Sequence, residues 1–197
     1  MVTIMSCQKE STEAENELNK VITAEKNGLG IEFCLLNENG EPDTVFQEGE
    51  NFRFHLAIIN NVEPDTSMYI VSDFLKNPDL FMVFRSPYDT VGRPMELKGL
   101  FARTDAGNEI KKGEKWVMEI PWHETRGTEE PYDMYNLIIY FQVLYIGLNQ
   151  PPLSKGVYYT ELTEIFCLRR YANSPDYENE PIVCTDTLEL KINFEIK

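Results

Sequence analysis

The sequence predicts an all-β protein: an antiparallel β-sandwich of about nine strands with long loop insertions. Short segments of alternating apolar and polar residues recur along the chain and are separated by turn residues. No long segment carries a convincing helical stripe of apolar residues. The 197 residues, of which 42% are hydrophobic, are also enough to form one substantial core.

Nine strands are predicted in order along the chain, at residues 31–36, 52–58, 68–75, 80–85, 97–103, 115–122, 137–146, 156–168 and 188–196. Most alternate with a period of two, and the clearest case is the last segment, in which every second residue is apolar. Residues 137–146 are apolar on both faces, which is typical of a central strand. Long connections are expected at residues 86–96, 121–135 and 169–186.

The chain begins with a pattern that resembles the lipobox of bacterial lipoproteins, Ile4-Met5-Ser6-Cys7. The resemblance implies that Cys7 carries the lipid and that residues 1–7 are a truncated lipoprotein signal, because the apolar stretch is shorter than a signal requires. The alternative is an ordinary N-terminus with a chance cysteine. Residues 8–27 are polar and predict a flexible tether, with a short helix at residues 13–26 as the alternative. The β-sandwich domain is then expected at residues 28–197.

The charge balance restricts the classes of partner. With 33 acidic and 18 basic residues the net charge is −15, which argues against a nucleic-acid partner. No apolar run is long enough for a membrane-spanning helix, so contact with a membrane is expected only through the N-terminal lipid anchor. The expected location is extracytoplasmic: lipid-anchored in the cell envelope, at the outer membrane or cell surface.

If Cys7 is lipidated, three cysteines remain. Cys167 and Cys184 could form a disulfide between two neighbouring strands, whereas buried free thiols are the favoured alternative. A third cysteine, Cys34, would be unpaired in either case.

Recognised catalytic motifs for phosphate binding, serine hydrolysis, zinc proteolysis and thiol redox chemistry are missing from the sequence. His55 lies in the middle of a predicted strand and is expected to be structural, and no spacing requires it to meet a cysteine. The acidic residues at 129–133 and 176–180 are expected to be solvated charge, with calcium binding as the alternative. We therefore predict a non-enzymatic protein with no metal and no cofactor.

Residues 121–135 form the strongest candidate binding surface, since aromatic faces stack on sugar rings and polar groups bind hydroxyls. The predicted ligand-binding residues are Trp122, His123, Arg126, Tyr132 and Tyr135. The favoured alternative for Trp122 is that it continues the buried face of Trp116 and belongs to the core. The aromatic loop at residues 171–177 is a second, weaker candidate.

Residues 46–60 resemble an early strand pair of immunoglobulin-like domains in Gram-negative surface lipoproteins. Residues 110–114 and 153–159 resemble strand entries of the same family, and the order of elements is distantly similar to BsuPI-type proteinase-inhibitor domains. The resemblance implies an immunoglobulin-like sandwich that acts as a binding or scaffolding module. Because this chain carries long insertions, no inhibitory residue can be transferred to it.

Together these observations lead us to expect a membrane-anchored lipoprotein that binds a glycan or a protein through loops of its sandwich. One alternative is a structural or interaction subunit of a cell-envelope complex. A secreted hydrolase or a proteinase inhibitor is a further, less favoured alternative.

Overall fold

The computed structural model of the chain describes residues 20–63, 67–71, 74–75, 77–98, 109–123, 144–147, 150–170 and 182–197. The fifteen regular elements in these ranges are all β-strands, so the protein is all-β, as its sequence predicts. The strands are β1 (Val21–Lys26), β2 (Leu29–Leu36), β3 (Val45–Phe46), β4 (Arg53–Asn60), β5 (Met68–Val71), β6 (Val83–Arg85), β7 (Asp89–Gly92), β8 (Met95–Lys98), β9 (Glu109–Ile110), β10 (Lys115–Pro121), β11 (Leu144–Gly147), β12 (Gly156–Glu164), β13 (Cys167–Arg170), β14 (Ile182–Cys184) and β15 (Leu188–Ile196).

The strands form four sheets. Sheet A has the order β1-β2-β4-β10, and sheet B has the order β3-β15-β12-β6-β7. Sheet C has the order β14-β13-β5-β9, and sheet D is the pair β11-β8. Strand β3 runs parallel to β15, whereas the other pairings are antiparallel.

Sheets A and B pack against each other through aromatic side chains. Phe52, which directly precedes β4 of sheet A, lies 5.1 Å from Phe46 of β3 and 5.2 Å from Phe194 of β15, measured between ring centroids. In the same layer, Phe54 of β4 stacks on Phe81 with ring centroids 4.9 Å apart. All of these rings are fully or almost fully buried. The two large sheets therefore share one core, which gives the protein a sandwich-like arrangement.

A disulfide holds sheet C together. Cys167 of β13 lies directly opposite Cys184 of β14, and their sulfurs are bonded. Free thiols were the favoured expectation for this pair, and the structure corrects it. The two cysteines lie on adjacent strands with their Cα atoms 4.1 Å apart, and they form a disulfide. Cys34, by contrast, is a buried free thiol.

The number of strands differs from the predicted nine. The additional strands include β3, β9 and β14, each of two or three residues, and such short edge strands leave no periodic pattern in a sequence. The predicted strand at residues 156–168 is divided into β12 and β13, which belong to different sheets. Between them the backbone of Phe166 exchanges hydrogen bonds with Thr185, and the chain passes from sheet B to sheet C.

The described part of the predicted tether is also a strand. Residues 21–26 form β1 and pair antiparallel with β2 along their whole length. The Asn27-Gly28 turn makes this hairpin, and its polar residues face solvent while Ile22 packs on the core. The expectation of a tether or a helix is therefore wrong for residues 20–27, and residues 8–19 lie outside the described ranges.

The predicted central strand at residues 137–146 is described only from residue 144 onward. There β11 pairs with β8 in the two-stranded sheet D, and no third strand is found beside them in the described ranges. An apolar run on its own indicates burial but does not indicate which strands will be its neighbours.

We expect that replacing both Cys167 and Cys184 with serine lowers the free energy of unfolding by about 3 kcal/mol, since a loop of this length is no longer closed in the unfolded chain. Urea unfolding measured by circular dichroism would detect the loss. As a control, dithiothreitol should destabilise the parent protein and leave the double variant unchanged. Equal stability of the two proteins would contradict a structural role for this bond.

Candidate functional site

Trp122 lies in the core and not at a binding surface. Its side chain is 1% exposed and stacks on Phe52, with ring planes 9° apart and centroids 5.9 Å apart. The indole Nε1–H donates a hydrogen bond to the carbonyl oxygen of Pro151 at 3.0 Å. Both the ring and its polar group are thus already engaged, so the prediction that Trp122 contacts a ligand is replaced by the alternative, a continuation of the buried face of β10.

His123 is held at the same corner of the molecule. Its backbone N–H donates to Asn51 Oδ1 at 3.1 Å, and its carbonyl oxygen accepts a bond from Asn51 Nδ2 at 2.6 Å. The imidazole is buried as well. The structure therefore brings Trp122 and His123 together as a rigid corner after β10, while Arg126, Tyr132 and Tyr135 lie outside the described residues.

The outer face of sheet A carries a row of polar side chains whose proximity was not predicted from the sequence. Cys34 of β2, His55 of β4 and Glu119 of β10 stand directly opposite one another on three neighbouring strands. His55 Nδ1 lies 3.0 Å from Glu119 Oε1, and Nε2 lies 3.5 Å from Glu32 Oε1. Arg53 lies 3.6 Å from the other oxygen of Glu119. The register of three strands thus creates a histidine held between two carboxylates.

The thiol in this row is not activated. Burial, together with the negative charges of Glu32 and Glu119, raises the pKa of Cys34 to about 12. A nucleophilic cysteine requires the opposite surroundings, with nearby positive charge that lowers the thiol pKa. Although Cys34 and His55 are cross-strand neighbours, the row is therefore unsuited to thiol catalysis.

No group of three or more His, Cys, Asp or Glu side chains in the described ranges is arranged to hold a metal ion. One cleft of about 540 Å³ lies beside the disulfide, and its lining includes Asn27, Val62, Glu63 and Ile182. Its single ionisable lining group, Glu63, is paired with Lys112, so the cleft contains no free acid or base.

An exposed apolar surface lies at the β6–β7 hairpin of sheet B. Tyr88 at the tip of the hairpin is 85% exposed, and Val157 on the neighbouring strand β12 is 54% exposed. Beside them Phe84 of β6 stacks on Tyr159 of β12, with centroids 5.0 Å apart. We call Phe84, Tyr88, Val91, Val157 and Tyr159 the hairpin surface.

The hairpin surface was not predicted, because residues 86–96 were expected to be a connection. The turn residues Ser86, Pro87 and Asp89 around an aromatic residue were the available signal, since turns at the end of a sheet commonly carry binding residues. Phe84 and Tyr159 become neighbours only through the pairing of β6 with β12, across 75 residues of sequence.

No family model matches this chain, and the comparisons with curated proteins and with solved structures likewise found no match. Among the described residues, no helix has the length and apolar character that crossing a membrane requires.

We expect Trp122→Ala to lower the free energy of unfolding by about 3–5 kcal/mol, because it removes a fully packed indole from the core. Urea unfolding followed by circular dichroism measures this change. The matched control is Val117→Ala at an exposed position of the preceding strand β10, which should change stability by less than about 0.5 kcal/mol. A Trp122→Ala protein as stable as the control would show that the indole does not support the core.

The buried thiol predicts a dependence of stability on alkaline pH. Folding raises the pKa of Cys34 from its ordinary value of 9.0 to about 12, so the stabilisation is complete below pH 9 and is lost as the pH rises toward 12. Urea unfolding at a series of pH values from 8 upward should therefore show a steeper alkaline decline for the parent protein than for Cys34→Ala. Parallel profiles would contradict this linkage, and labelling with iodoacetamide with and without urea checks that the thiol is protected by folding.

Proposed function

We propose that this protein is a non-enzymatic, extracytoplasmic binding module that contacts a glycan through the hairpin surface. The observation that carries the proposal is the clustering of exposed apolar side chains. Six large hydrophobic residues in the described ranges are exposed, and three of them, Tyr88, Val91 and Val157, belong to this one surface. Contiguous exposed apolar groups are a feature of interaction sites on soluble domains.

The aromatic residues of the surface differ in what they can contact. The ring face of Tyr159 is already in contact with other side chains. Phe84 stacks on it, and the amine of Lys191 lies over the ring, 4.0 Å from its centroid. The ring of Tyr88 is exposed at the tip of the hairpin and is available for stacking on a sugar. We therefore assign the direct contact to Tyr88, with the Phe84–Tyr159 pair as its support.

Polar groups flank the aromatic pair in a straight row across sheet B. Asn193 of β15 lies opposite Tyr159, and Thr90 of β7 lies opposite Phe84. With neighbouring strands about 4.8 Å apart, the four residues form a row of roughly 14 Å. Aromatic rings flanked by hydrogen-bonding side chains suit a glycan, which presents apolar ring faces and hydroxyl edges.

The disulfide supports the extracytoplasmic part of the proposal, because such bonds form and persist in oxidising compartments. In this proposal Cys7 carries the lipid anchor and residues 8–19 act as a tether, which lets the domain search near a membrane surface. We also propose that sheets A and B are the two layers of an immunoglobulin-like sandwich, supported by their shared aromatic core.

A structural or interaction subunit of a cell-envelope complex is the second candidate. It is favoured by the position of β7 at the edge of sheet B, where Val91 is exposed. An edge strand with exposed apolar groups can add a strand from a partner protein. Sedimentation would reveal self-association, which the binding module does not require.

We expect the full chain to give saturable binding on a glycan array and Tyr88→Ala to lose about tenfold or more in affinity, since stacking on an aromatic ring contributes on the order of 1–2 kcal/mol. Calorimetric titration with the best array ligand measures the change.

The matched control is Ile165→Ala, which removes another exposed apolar side chain at a site away from the hairpin. It should bind as the parent protein does. Binding to no glycan, or equal loss in both variants, would argue against the proposed function and favour the envelope-complex subunit.

A further inference from the structure

Two basic side chains lie at the end of sheet B that carries Tyr88. Arg85 is the last residue of β6, and Lys155 directly precedes β12. Arg85 Nη2 donates a hydrogen bond to the carbonyl oxygen of Lys155 at 3.2 Å, which connects the two positions across the strand pair. Both residues are exposed, and Val157 of β12 lies two residues beyond Lys155 in the sequence.

The position of the Arg85 guanidinium is determined by backbone and by an aromatic ring. A Cβ on Gly156, where φ is +156°, would lie 3.2 Å from Arg85 Nη2, so the glycine permits the guanidinium to lie close to the main chain. The guanidinium carbon also lies 5.8 Å from the ring centroid of Tyr158. Arg85 is thus held in place while donors of its guanidinium are left for a ligand.

Arg85 and Lys155 have no carboxylate within ion-pair distance in the part of the chain that the structure describes, whereas most of the lysines described there are paired with a carboxylate. Lys191, for example, is paired with Glu161 on the same sheet. The acids nearest in register are Asp89, opposite Arg85, and Glu195, which is paired with Lys197. In a protein with a net charge of −15, two uncompensated cations at the hairpin end of sheet B form a local positive patch.

We propose that the end of sheet B at the β6–β7 hairpin binds a carboxylate-bearing glycan, such as a uronic-acid polymer. This inference rests on the proposed function and specifies its ligand class. Tyr88 stacks on a sugar ring, while Arg85 and Lys155 bind the carboxylate of that sugar or the next one. Guanidinium and carboxylate groups match in geometry, and charge-assisted hydrogen bonds of this kind are about twice as strong as neutral ones.

The test titrates the full 197-residue chain with oligomers of galacturonate, glucuronate and mannuronate, each in its free-acid and its methyl-esterified form. Esterification removes the charge and keeps the sugar ring, so it isolates the contribution of the carboxylate. We expect at least one free acid to bind about tenfold more tightly than its ester, and the Arg85→Gln/Lys155→Gln double variant to lose that difference.

Two controls separate a specific contact from net charge and from misfolding. The Lys26→Gln/Lys111→Gln double variant makes the same change of charge at exposed positions outside sheet B, and it should retain the preference for the acid. Thermal unfolding checks that the double variant is folded.

Each other outcome overturns the inference in a recognisable way. Equal binding of acid and ester, or binding of neutral glycans alone, overturns the ligand class and leaves the proposed function standing. Binding to no glycan removes both. Binding to phosphatidylglycerol vesicles but to no sugar would assign the basic pair to a membrane surface instead.

Discussion

The packing of Phe52 between the two large sheets is the interaction on which the rest of the structure depends. Phe52 joins Phe46 and Phe194 of sheet B to Trp122, which follows the last strand of sheet A. Aromatic rings of this size bury large apolar areas, and here they close one end of the shared core. Because Trp122 completes that cluster, its indole is part of the core.

This core gives the outer faces of the two sheets different characters. Burying the large side chains inside leaves sheet A with His55 and its two carboxylates on the outside, where the thiol of Cys34 is kept protonated. The outer face of sheet B keeps aromatic and apolar side chains near the β6–β7 hairpin. On sheet A the outer side chains link strands through ion pairs. The outer face of sheet B resembles a contact surface, and we therefore assign the proposed function to sheet B.

Compartment and ligand class rest on separate features. The Cys167–Cys184 bond supports an oxidising environment, and its loss would leave the hairpin surface in place, since the two belong to different sheets. The basic pair at Arg85 and Lys155 is in turn independent of the stacking residue Tyr88. The compartment can therefore be wrong while glycan binding holds, and the ligand class can be wrong while glycan binding holds, so experiments can distinguish these outcomes.

The sequence by itself determined the all-β class and the main strands. Periods of two in β2, β4, β10 and β15 record which side chains face the core, and this information is local. It also supplied the residues of the corner after β10, including the favoured alternative that Trp122 is buried. Local patterns could not show β1 as a strand, because its polar residues become ordered only by pairing with β2.

Only the tertiary structure decided which strands are neighbours, and through this where the surfaces lie. The pairing of β13 with β14 brought two cysteines together, and that of β6 with β12 placed Phe84 beside Tyr159. The same pairing set Arg85 beside Lys155. Alternation states on which face of a strand a residue lies, but the partner across the strand is chosen by the packing of the whole core, and for this reason the candidate site was not visible in the sequence.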